Sequence, residues 1–346
     1  MSAERFERLR ASAAYADLVA TSARLGRDPL QVQGPGGNTS LKADGAMWVK
    51  ASGTWLAEAE ERAIMVPVEQ AALRDAVLSD GAVRAADFVP EGLAAAGLRP
   101  SIETSVHAVL PQPVVLHTHC VSTIAVAIRE DVEAVVRERL ADLDPIVVPY
   151  VMPGEPLARA LAAEAAPRRR VAVLGNHGLI AMGESVAEAA GLLGEVALRL
   201  APDTVPEAPG EVALASERYR PAEAPALRAV AADPERLALA AGGPYYPDHV
   251  VFLGASLAVA EPGEDVEAAA ERHGEAPALV VLPGRGGAIR RDAPAAAEAM
   301  ARCLGDVIAR VAPGAPVRAL SAGEIAALLG WDAEKHRQAL SAGRSA

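Results

Sequence analysis

The chain has 346 residues, of which 51% are hydrophobic and 23% charged, which is the composition of a globular protein large enough for two domains. Its net charge of −12 and pI of about 5.2 exclude nucleic acid and an anionic membrane surface as default partners, because both would repel it. Its two cysteines, Cys120 and Cys303, are far apart and form no C-x-x-C pair, which excludes a disulfide framework and favours a reducing, cytoplasmic location.

The N-terminal segment mixes acidic and basic residues and lacks the apolar stretch of a signal peptide. No apolar run in the sequence is long enough to cross a bilayer, so we expect no membrane association. Apolar residues recur with helical spacing over residues 4–27, which predicts one amphipathic helix that ends near Gly26.

A glycine-rich segment follows at residues 31–52. Its sequence predicts a strand, a turn at residues 34–37 and a hairpin that turns at Ala43-Asp44-Gly45. The glycine run is neither a P-loop, because no GK[ST] ends it, nor a G-x-G-x-x-G motif that opens a helix. Small residues would nevertheless let backbone N–H groups approach an anion there.

Two helices are predicted next, at residues 68–79 and 90–97. The stretch SIETSVHAVLPQPVVLHTHC, residues 101–120, then carries the densest set of candidate functional side chains. Ser101 is predicted to cap a helix that ends at Pro111, which places Glu103 and His107 at i and i+4 on one helical face.

The end of this stretch is predicted to be a strand at residues 114–119, on which alternation places His117 and His119 on one face. Such a pair can supply two nitrogen ligands to a zinc-like ion, which needs a third ligand from elsewhere. His177 is the candidate, because it lies at a strand end beside a Gly175-Asn176 turn. Any one of these histidines alone would be interpreted as a satisfied core or surface residue, but together they favour a site.

Further elements are predicted from apolar periodicity: helices at residues 121–128, 132–143, 157–165 and 185–200, and a strand within residues 146–154 that contains Tyr150. Arg168, Arg169 and Arg170 are interpreted as a solvated loop. The composition then turns to Pro, Ala and Glu, which indicates a domain boundary.

The remaining sequence predicts a small α/β domain with strands within residues 246–254 and 277–287 and a helix at residues 295–311. Its PGRGG segment is interpreted as a strand-to-strand turn that binds no cofactor. We therefore divide the chain into a catalytic domain at residues 1–205, a Pro/Ala-rich connection at residues 206–235 and a C-terminal domain at residues 236–346.

Five motifs together resemble the class II aldolase/adducin family and follow that family's order through about the first two hundred residues. They are GNTS (residues 37–40), VKASGTWL (49–56), the E-x-x-x-H of Glu103 and His107, HTH (117–119) and NHGL (176–179). The resemblance implies an α/β fold, a three-layer α/β/α domain around a mixed, mostly antiparallel sheet.

The same resemblance implies that His117, His119 and His177 bind a catalytic divalent metal, with Zn²⁺ expected and Mn²⁺, Co²⁺ or Fe²⁺ as alternatives. It also makes Glu103 the acid/base, with a pKa that we expect partial burial to raise. His107 is interpreted either as orienting Glu103 or as a packing residue.

Substrate-binding residues are implied in the same way. Asn38, Ser52 and Gly53 match positions that bind the substrate phosphate in sugar-phosphate members. Ser101 is also expected to bind this group. Many phosphate-binding members carry two serines directly before the glutamate, whereas Ser101 is followed here by Ile102. This difference weakens the case for a phosphate, so the anionic group of the substrate can be a phosphate or a carboxylate. In related aldolases a tyrosine near the position of Tyr150 reaches a neighbouring subunit's site and donates a proton; the alternative is a strand tyrosine with its hydroxyl in water.

The function expected from the resemblance is a metal-dependent lyase that cleaves a carbon–carbon bond of a small hydroxycarbonyl substrate through an enediolate. Decarboxylase, dehydratase and 4-epimerase activities are alternatives, although the epimerase usually has aspartate where Glu103 stands, and a non-catalytic adducin-like scaffold is another. Members commonly form symmetric tetramers, so we expect a homo-oligomer. The segments PDHV and GWDAEKHRQAL resemble the extension after the aldolase unit in proteins that fuse a rhamnulose-phosphate-type aldolase to an alcohol dehydrogenase.

Overall fold

A computed structural model of the protein describes residues 2–79, 82–210, 213–274 and 276–331. The described residues divide into two compact units. The first unit holds those of Met1–Thr123 and Val132–Leu200, and the second holds those of Ile124–Asp131 and Ala201–Ala346.

The described strands of the first unit form one sheet. They are β1 (Asn38–Ala43), β2 (Ala46–Lys50), β3 (Met65–Glu69), β4 (Val114–Thr118), β5 (Ile146–Val148), β6 (Val171–Leu174) and β7 (Gly178–Gly183). Their order across the sheet is β3-β2-β1-β4-β7-β6-β5. Only β5 and β6 are parallel, whereas the other neighbouring pairs are antiparallel, which confirms the predicted mixed sheet.

Helices cover both faces of this sheet. Those that begin before residue 200 are α1 (Ser2–Arg10), α2 (Ala13–Arg27), α3 (Gln70–Leu78), α4 (Thr104–Val109), α5 (Val121–Ala127), α6 (Val132–Arg139), α7 (Glu155–Glu164) and α8 (Val186–Leu200). Apolar side chains of α3, α4 and α7 form one buried cluster with the sheet, and α2 and α8 pack on the strands from the other side. The predicted three-layer α/β/α arrangement is therefore confirmed.

Two differences from the sequence-based elements occur near the N-terminus. The single helix predicted over residues 4–27 is broken, because Ser12 accepts a hydrogen bond from the backbone N–H of Tyr15 and so begins a second helix. Residues 31–33 form no strand, since the N–H groups of Gln31 and Val32 both donate to the carbonyl of Asp28 in a turn.

The predicted helices at residues 68–79 and 90–97 also need correction. Residues 65–69 are a strand, and the helix begins only at Gln70. Pro67 argued against a strand here, because proline has no backbone N–H for a hydrogen bond to a neighbouring strand. However, β3 is an edge strand with a neighbour on one side only, and proline is tolerated there. Residues 90–97 form turns, punctuated by Gly92 and Gly97 with positive φ.

The second unit contains a smaller sheet in its described residues. Its strands are β8 (Tyr219–Pro221), β9 (Ala258–Val259), β10 (Leu279–Leu282) and β11 (Gly286–Arg290), in the order β8-β11-β10-β9. Its helices are α9 (Pro225–Ala232), α10 (Pro234–Ala241), α11 (Pro247–Leu253), α12 (Val266–His273), α13 (Ala295–Arg310) and α14 (Ala322–Gly330). The PGRGG segment joins β10 to β11, as predicted.

The strand predicted within residues 246–254 is wrong, because this segment forms α11. Pro247 occupies the first helical turn, where its fixed φ and missing N–H suit a helix start. The PDHV segment is therefore a buried helical turn, whereas most of the GWDAEKHRQAL segment lies outside the described residues. In the part of the chain that is described, no helix combines the length and apolarity needed to cross a membrane.

Candidate metal and substrate site

Three histidine rings converge at one buried point of the first unit. His117 and His119 come from β4 and the residue after it, and His177 comes from the turn between β6 and β7. Their ring centroids are 5.0, 4.9 and 5.3 Å apart in pairs, and their candidate ligand nitrogens all lie within 4.8 Å of one another. The structure thus brings together the three residues that the sequence singled out.

A close backbone approach makes this convergence possible. Strand β4 pairs with β7, and Gly178 follows His177 directly. A Cβ atom added at Gly178 would lie 2.5 Å from the carbonyl oxygen of Thr118 and 3.3 Å from a ring carbon of His117. Only glycine therefore fits there without moving the strands apart. Asn176 makes the preceding turn in the left-handed region, with φ of 52°, which asparagine tolerates.

The hydrogen bonding of His117 suits a metal ligand. Its Nδ1–H donates to the carbonyl oxygen of Leu179 at 3.0 Å, which leaves the lone pair on Nε2. Burial lowers the pKa of His117 to about 4, so the ring is neutral at pH 7. A neutral imidazole whose other nitrogen is held by a backbone carbonyl is the arrangement that orients histidine ligands in metal sites.

The carboxylate of Glu103 lies beside the imidazoles. One oxygen, Oε2, is 3.4 Å from His117 Nε2, and the other, Oε1, is 3.5 Å from His177 Nε2. Burial acts to raise the pKa of Glu103, but the neighbouring imidazoles, led by His117 and His177, and a hydrogen bond from Asn38 hold it below its ordinary value. The raised pKa that we expected is therefore wrong, and Glu103 is an anion at neutral pH.

These donors fit a divalent ion of the zinc type. Three imidazoles converge, and an anionic carboxylate lies close enough to compete for the same ion. All four residues are no more than 6% exposed, which makes the attraction between a cation and the carboxylate stronger than it would be in water. Three protein nitrogens with one further position is the ligand count of catalytic, rather than structural, zinc sites.

The segment that carries Glu103 differs from the prediction. Helix α4 begins at Thr104 with Glu103 at its N-cap, and Ser101 is not the capping residue. The hydroxyl of Ser101 instead accepts a hydrogen bond from the backbone N–H of Glu103 at 3.3 Å. The backbone N–H of His107 donates to the carbonyl of Glu103 at 3.3 Å, whereas the two side chains are linked through Asn38, which is hydrogen-bonded to both.

Strand β1 contributes side chains that sequence reasoning did not assign. Ser40 is hydrogen-bonded to His107 Nδ1 at 2.7 Å, and Lys42 donates to the carbonyl oxygens of His107, at 2.7 Å, and Leu110. The signal was present in the sequence, because Asn38, Ser40 and Lys42 alternate along the strand and so share one face. Burial, with a smaller contribution from nearby Arg74, lowers the pKa of Lys42 to about 7.

Of the residues expected to bind the anion of the substrate, Asn38 lies on β1, whereas Ser52, Gly53 and Ser101 lie in two neighbouring segments. Ser52 and Gly53 follow β2, and Gly53 has a positive φ of 71°. The backbone N–H of Ser52 donates to the carbonyl of Arg99 at 2.9 Å, and that of Ser101 donates to the carbonyl of Lys50 at 3.2 Å. The turn after β2 is thus bonded directly to the segment that leads into Glu103.

Tyr150 lies just beyond β5 and is half-buried. The backbone N–H of Gly175 donates to the carbonyl of Val148 at 2.8 Å, and a Cβ atom at Gly175 would lie 3.0 Å from the nitrogen of Tyr150. The Tyr150 segment therefore packs against the turn that carries His177.

Comparison with known proteins gives a curated relative and several solved structures. The uncharacterized oxidoreductase YuxG of Bacillus subtilis is 29% identical over 185 residues, a match that covers 49% of this chain and only 26% of that protein. The N-terminal class II aldolase domain of a conserved Thermoplasma acidophilum protein aligns with a TM-score of 0.48 and 25% identity, covering 55% of this chain and 92% of that one. The L-fuculose-1-phosphate aldolase of Thermus thermophilus aligns with a TM-score of 0.37 and 22% identity, covering 54% and 90%.

The family comparison covers the region that carries the site. The family model described as the class II aldolase and adducin N-terminal domain matches residues 16–198. This range includes the sheet of the first unit and the histidines and glutamate of the cluster. Since the match spans more than half of the chain, the protein belongs to the class II aldolase and adducin N-terminal domain family.

Proposed function

We propose that this protein is a metal-dependent lyase that cleaves a carbon–carbon bond of a small hydroxycarbonyl compound of the sugar or sugar-phosphate class. The observation that carries the proposal is the convergence of His117, His119 and His177 beside the anionic carboxylate of Glu103. Retention of all three imidazoles favours an enzyme over an adducin-like scaffold that lacks metal ligands. The L-fuculose-1-phosphate aldolases among the similar structures suggest the substrate class.

A divalent ion, which we propose is Zn²⁺ with Mn²⁺, Co²⁺ or Fe²⁺ as alternatives, would be held by the three histidines and would supply Lewis-acid stabilisation of negative charge on the substrate oxygens. Glu103 moves the proton. In the condensation direction its carboxylate removes the α-proton of the donor carbonyl compound, and in the cleavage direction it returns that proton to the carbon. Oε1 is the atom proposed for this transfer, because Oε2 accepts a hydrogen bond from Asn38 at 3.0 Å.

Other side chains are proposed to bind the rest of the substrate. Ser52, Gly53 and Ser101 lie in two segments that are hydrogen-bonded to each other just before Glu103, and they would hold an anionic group, a phosphate or a carboxylate, through hydroxyl and backbone N–H donors. In the site of a neighbouring copy of a homo-oligomer, Tyr150 would donate a proton to the aldehyde oxygen in the condensation direction and take it back from the resulting hydroxyl group in the cleavage direction. Catalysis is assigned to residues 1–205, and the protein is proposed to act in the cytoplasm. Residues 206–235, which we expected to be a connection to the domain at residues 236–346, also contain β8 and α9 of the second unit.

Metal analysis followed by a substrate screen tests the proposal. Protein purified without chelator is expected to contain about one divalent ion per chain. The metal-loaded protein would be incubated with L-fuculose 1-phosphate, dihydroxyacetone phosphate plus C3 aldehydes, pyruvate plus aldehydes, and sugar acids, with product release followed by NMR. Cleavage or formation of a carbon–carbon bond is the expected result. Carbon dioxide release, loss of water or epimerisation alone would replace the lyase by another activity of the family, and absence of bound metal would favour the scaffold.

A further inference from the structure

A chain of buried hydrogen bonds leads from strand β1 to Glu103. Ser40 Oγ lies 2.7 Å from His107 Nδ1, His107 Nε2 is hydrogen-bonded to Asn38 Oδ1, and Asn38 Nδ2 lies 3.0 Å from Glu103 Oε2. The four residues are at most 6% exposed. Water therefore does not compete for these bonds, and each partner is fixed by another protein group.

The chemistry of the groups fixes the direction of every bond. The carboxylate of Glu103 can only accept, so the amide nitrogen of Asn38 must face it and the amide oxygen must face His107. An amide oxygen also only accepts, so His107 carries its proton on Nε2 and leaves a lone pair on Nδ1. The hydroxyl of Ser40 then donates to that lone pair. Burial keeps His107 neutral by lowering its pKa to about 3.

We propose that Ser40, His107 and Asn38 are positioning residues that fix the carboxylate of Glu103, and that Asn38 serves Glu103 rather than the anionic group of the substrate. This deepens the proposed function, on which it rests for the role of Glu103. The hydrogen bond from Asn38 engages Oε2 of Glu103 and leaves Oε1 of Glu103 on the side of His177. Lys42 also fixes the backbone of helix α4, which contains His107, by donating to the carbonyl of His107 at 2.7 Å.

The direction of the chain can be tested without substrate or metal. In chelator-treated, ¹⁵N-histidine-labelled protein, NMR would identify the ring of His107 by its absence from a His107→Gln variant. The expected tautomer has the proton on Nε2 and an unprotonated Nδ1, whereas His117 has the opposite tautomer because its Nδ1–H faces the carbonyl of Leu179. A His107 ring protonated on Nδ1, or on both nitrogens at pH 7, would overturn the proposal.

The second test separates positioning from substrate binding. Zinc-loaded protein would be incubated in D₂O with dihydroxyacetone phosphate or with unphosphorylated dihydroxyacetone, and α-proton exchange would be followed by NMR. An Asn38→Ala variant is expected to lose about 100-fold in kcat for both probes with KM within about twofold, because a misplaced base is slow whatever the substrate carries. A rise in KM for the phosphorylated probe alone would assign Asn38 to the phosphate and refute the proposal.

A double-mutant cycle and a matched control complete the experiment. In a Glu103→Gln background, Asn38→Ala is expected to cause no further loss, since both changes act through one group; losses that multiply would contradict this. The matched control is Ser22→Ala, which removes a buried hydroxyl that is hydrogen-bonded to Thr39, on the opposite face of β1, at 2.7 Å. This variant is expected to catalyse exchange of both probes at the wild-type rate. Failure of the wild-type protein to exchange either probe would exclude a dihydroxyacetone-type donor for the proposed lyase, while the tautomer measurement would still decide whether Ser40, His107 and Asn38 are bonded as proposed.

Discussion

The ammonium group of Lys42 donates a hydrogen bond to the carbonyl oxygen of His107 at 2.7 Å and so ties strand β1 to the end of helix α4. Burial lowers the pKa of Lys42 to about 7, whereas in the unfolded chain it is about 10.4. Between these values the unfolded state binds the extra proton, so the free energy of unfolding must rise with pH.

We therefore predict that metal-free protein becomes more stable between pH 7 and 8.5, with a contribution from Lys42 of up to about 1.4 kcal/mol per pH unit. Urea denaturation at several pH values measures this. A Lys42→Met variant, which has no titrating group, is expected to lack that contribution. Equal slopes for the two proteins would show that Lys42 keeps its ordinary pKa.

His249 gives a second pH prediction, in the acid range. It is buried in α11, and burial lowers its pKa to about 4, compared with about 6.5 for a solvated histidine. Below pH 6.5 His249 is protonated in the unfolded chain but stays neutral in the folded protein. The free energy of unfolding therefore decreases as the pH falls towards 4. Relative to a His249→Gln variant, the native protein should lose about 3 kcal/mol over this window. A pH-independent difference between the two unfolding free energies would contradict the prediction.

Glu103→Gln removes the charge of the proposed base but keeps its size. The variant should still bind metal, because the three imidazoles remain, and should lose about 100- to 10,000-fold in turnover. Metal content and kcat are the two measurements. Full activity with bound metal would make the acid/base assignment wrong.

Gly178→Ala tests the backbone contact that brings His177 to the other two histidines. The added methyl would lie 2.5 Å from the carbonyl oxygen of Thr118, so β4 and β7 must separate, at about 1–3 kcal/mol of unfolding free energy. Zinc affinity should fall at least about tenfold, as when other supports of a metal ligand are removed. Gly191→Ala, on α8 with no atom within 4 Å of the new methyl, is the matched control and should change neither quantity adversely. Equal zinc affinity in both variants would show that the contact is dispensable.

Much of the site could be predicted from local sequence patterns. Alternation on β4 placed His117 and His119 on one side, and the glycine and asparagine around His177 indicated the turn that the structure contains. The metal-binding and acid/base roles of these residues were predicted from the order of the five motifs, which resembles that of the family. The hydrogen bond between Asn38 and Glu103 was beyond such reasoning, because it joins residues 65 positions apart, one on β1 and the other at the start of α4.

The elements that were wrongly predicted have local causes. β3 was hidden by Pro67, which argues against a strand unless the strand is known to be at an edge. α11 was taken for a strand because seven residues around an apolar run carry no clear period, and the helix-start signal of Pro247 was not used.

The segment Ile124–Asp131 follows the HTH motif in the sequence but belongs to the second unit. Arg129 forms a bridge with Val317, and Arg318 donates to the carbonyl of Ile128 at 2.8 Å. A protein truncated after residue 205 would lose these partners and expose the main chain just beyond two candidate metal ligands. Removing the residues after 205 would therefore also disturb residues 124–131, which lie within the family-matched region. A protein with a different C-terminal domain would need new partners for this segment.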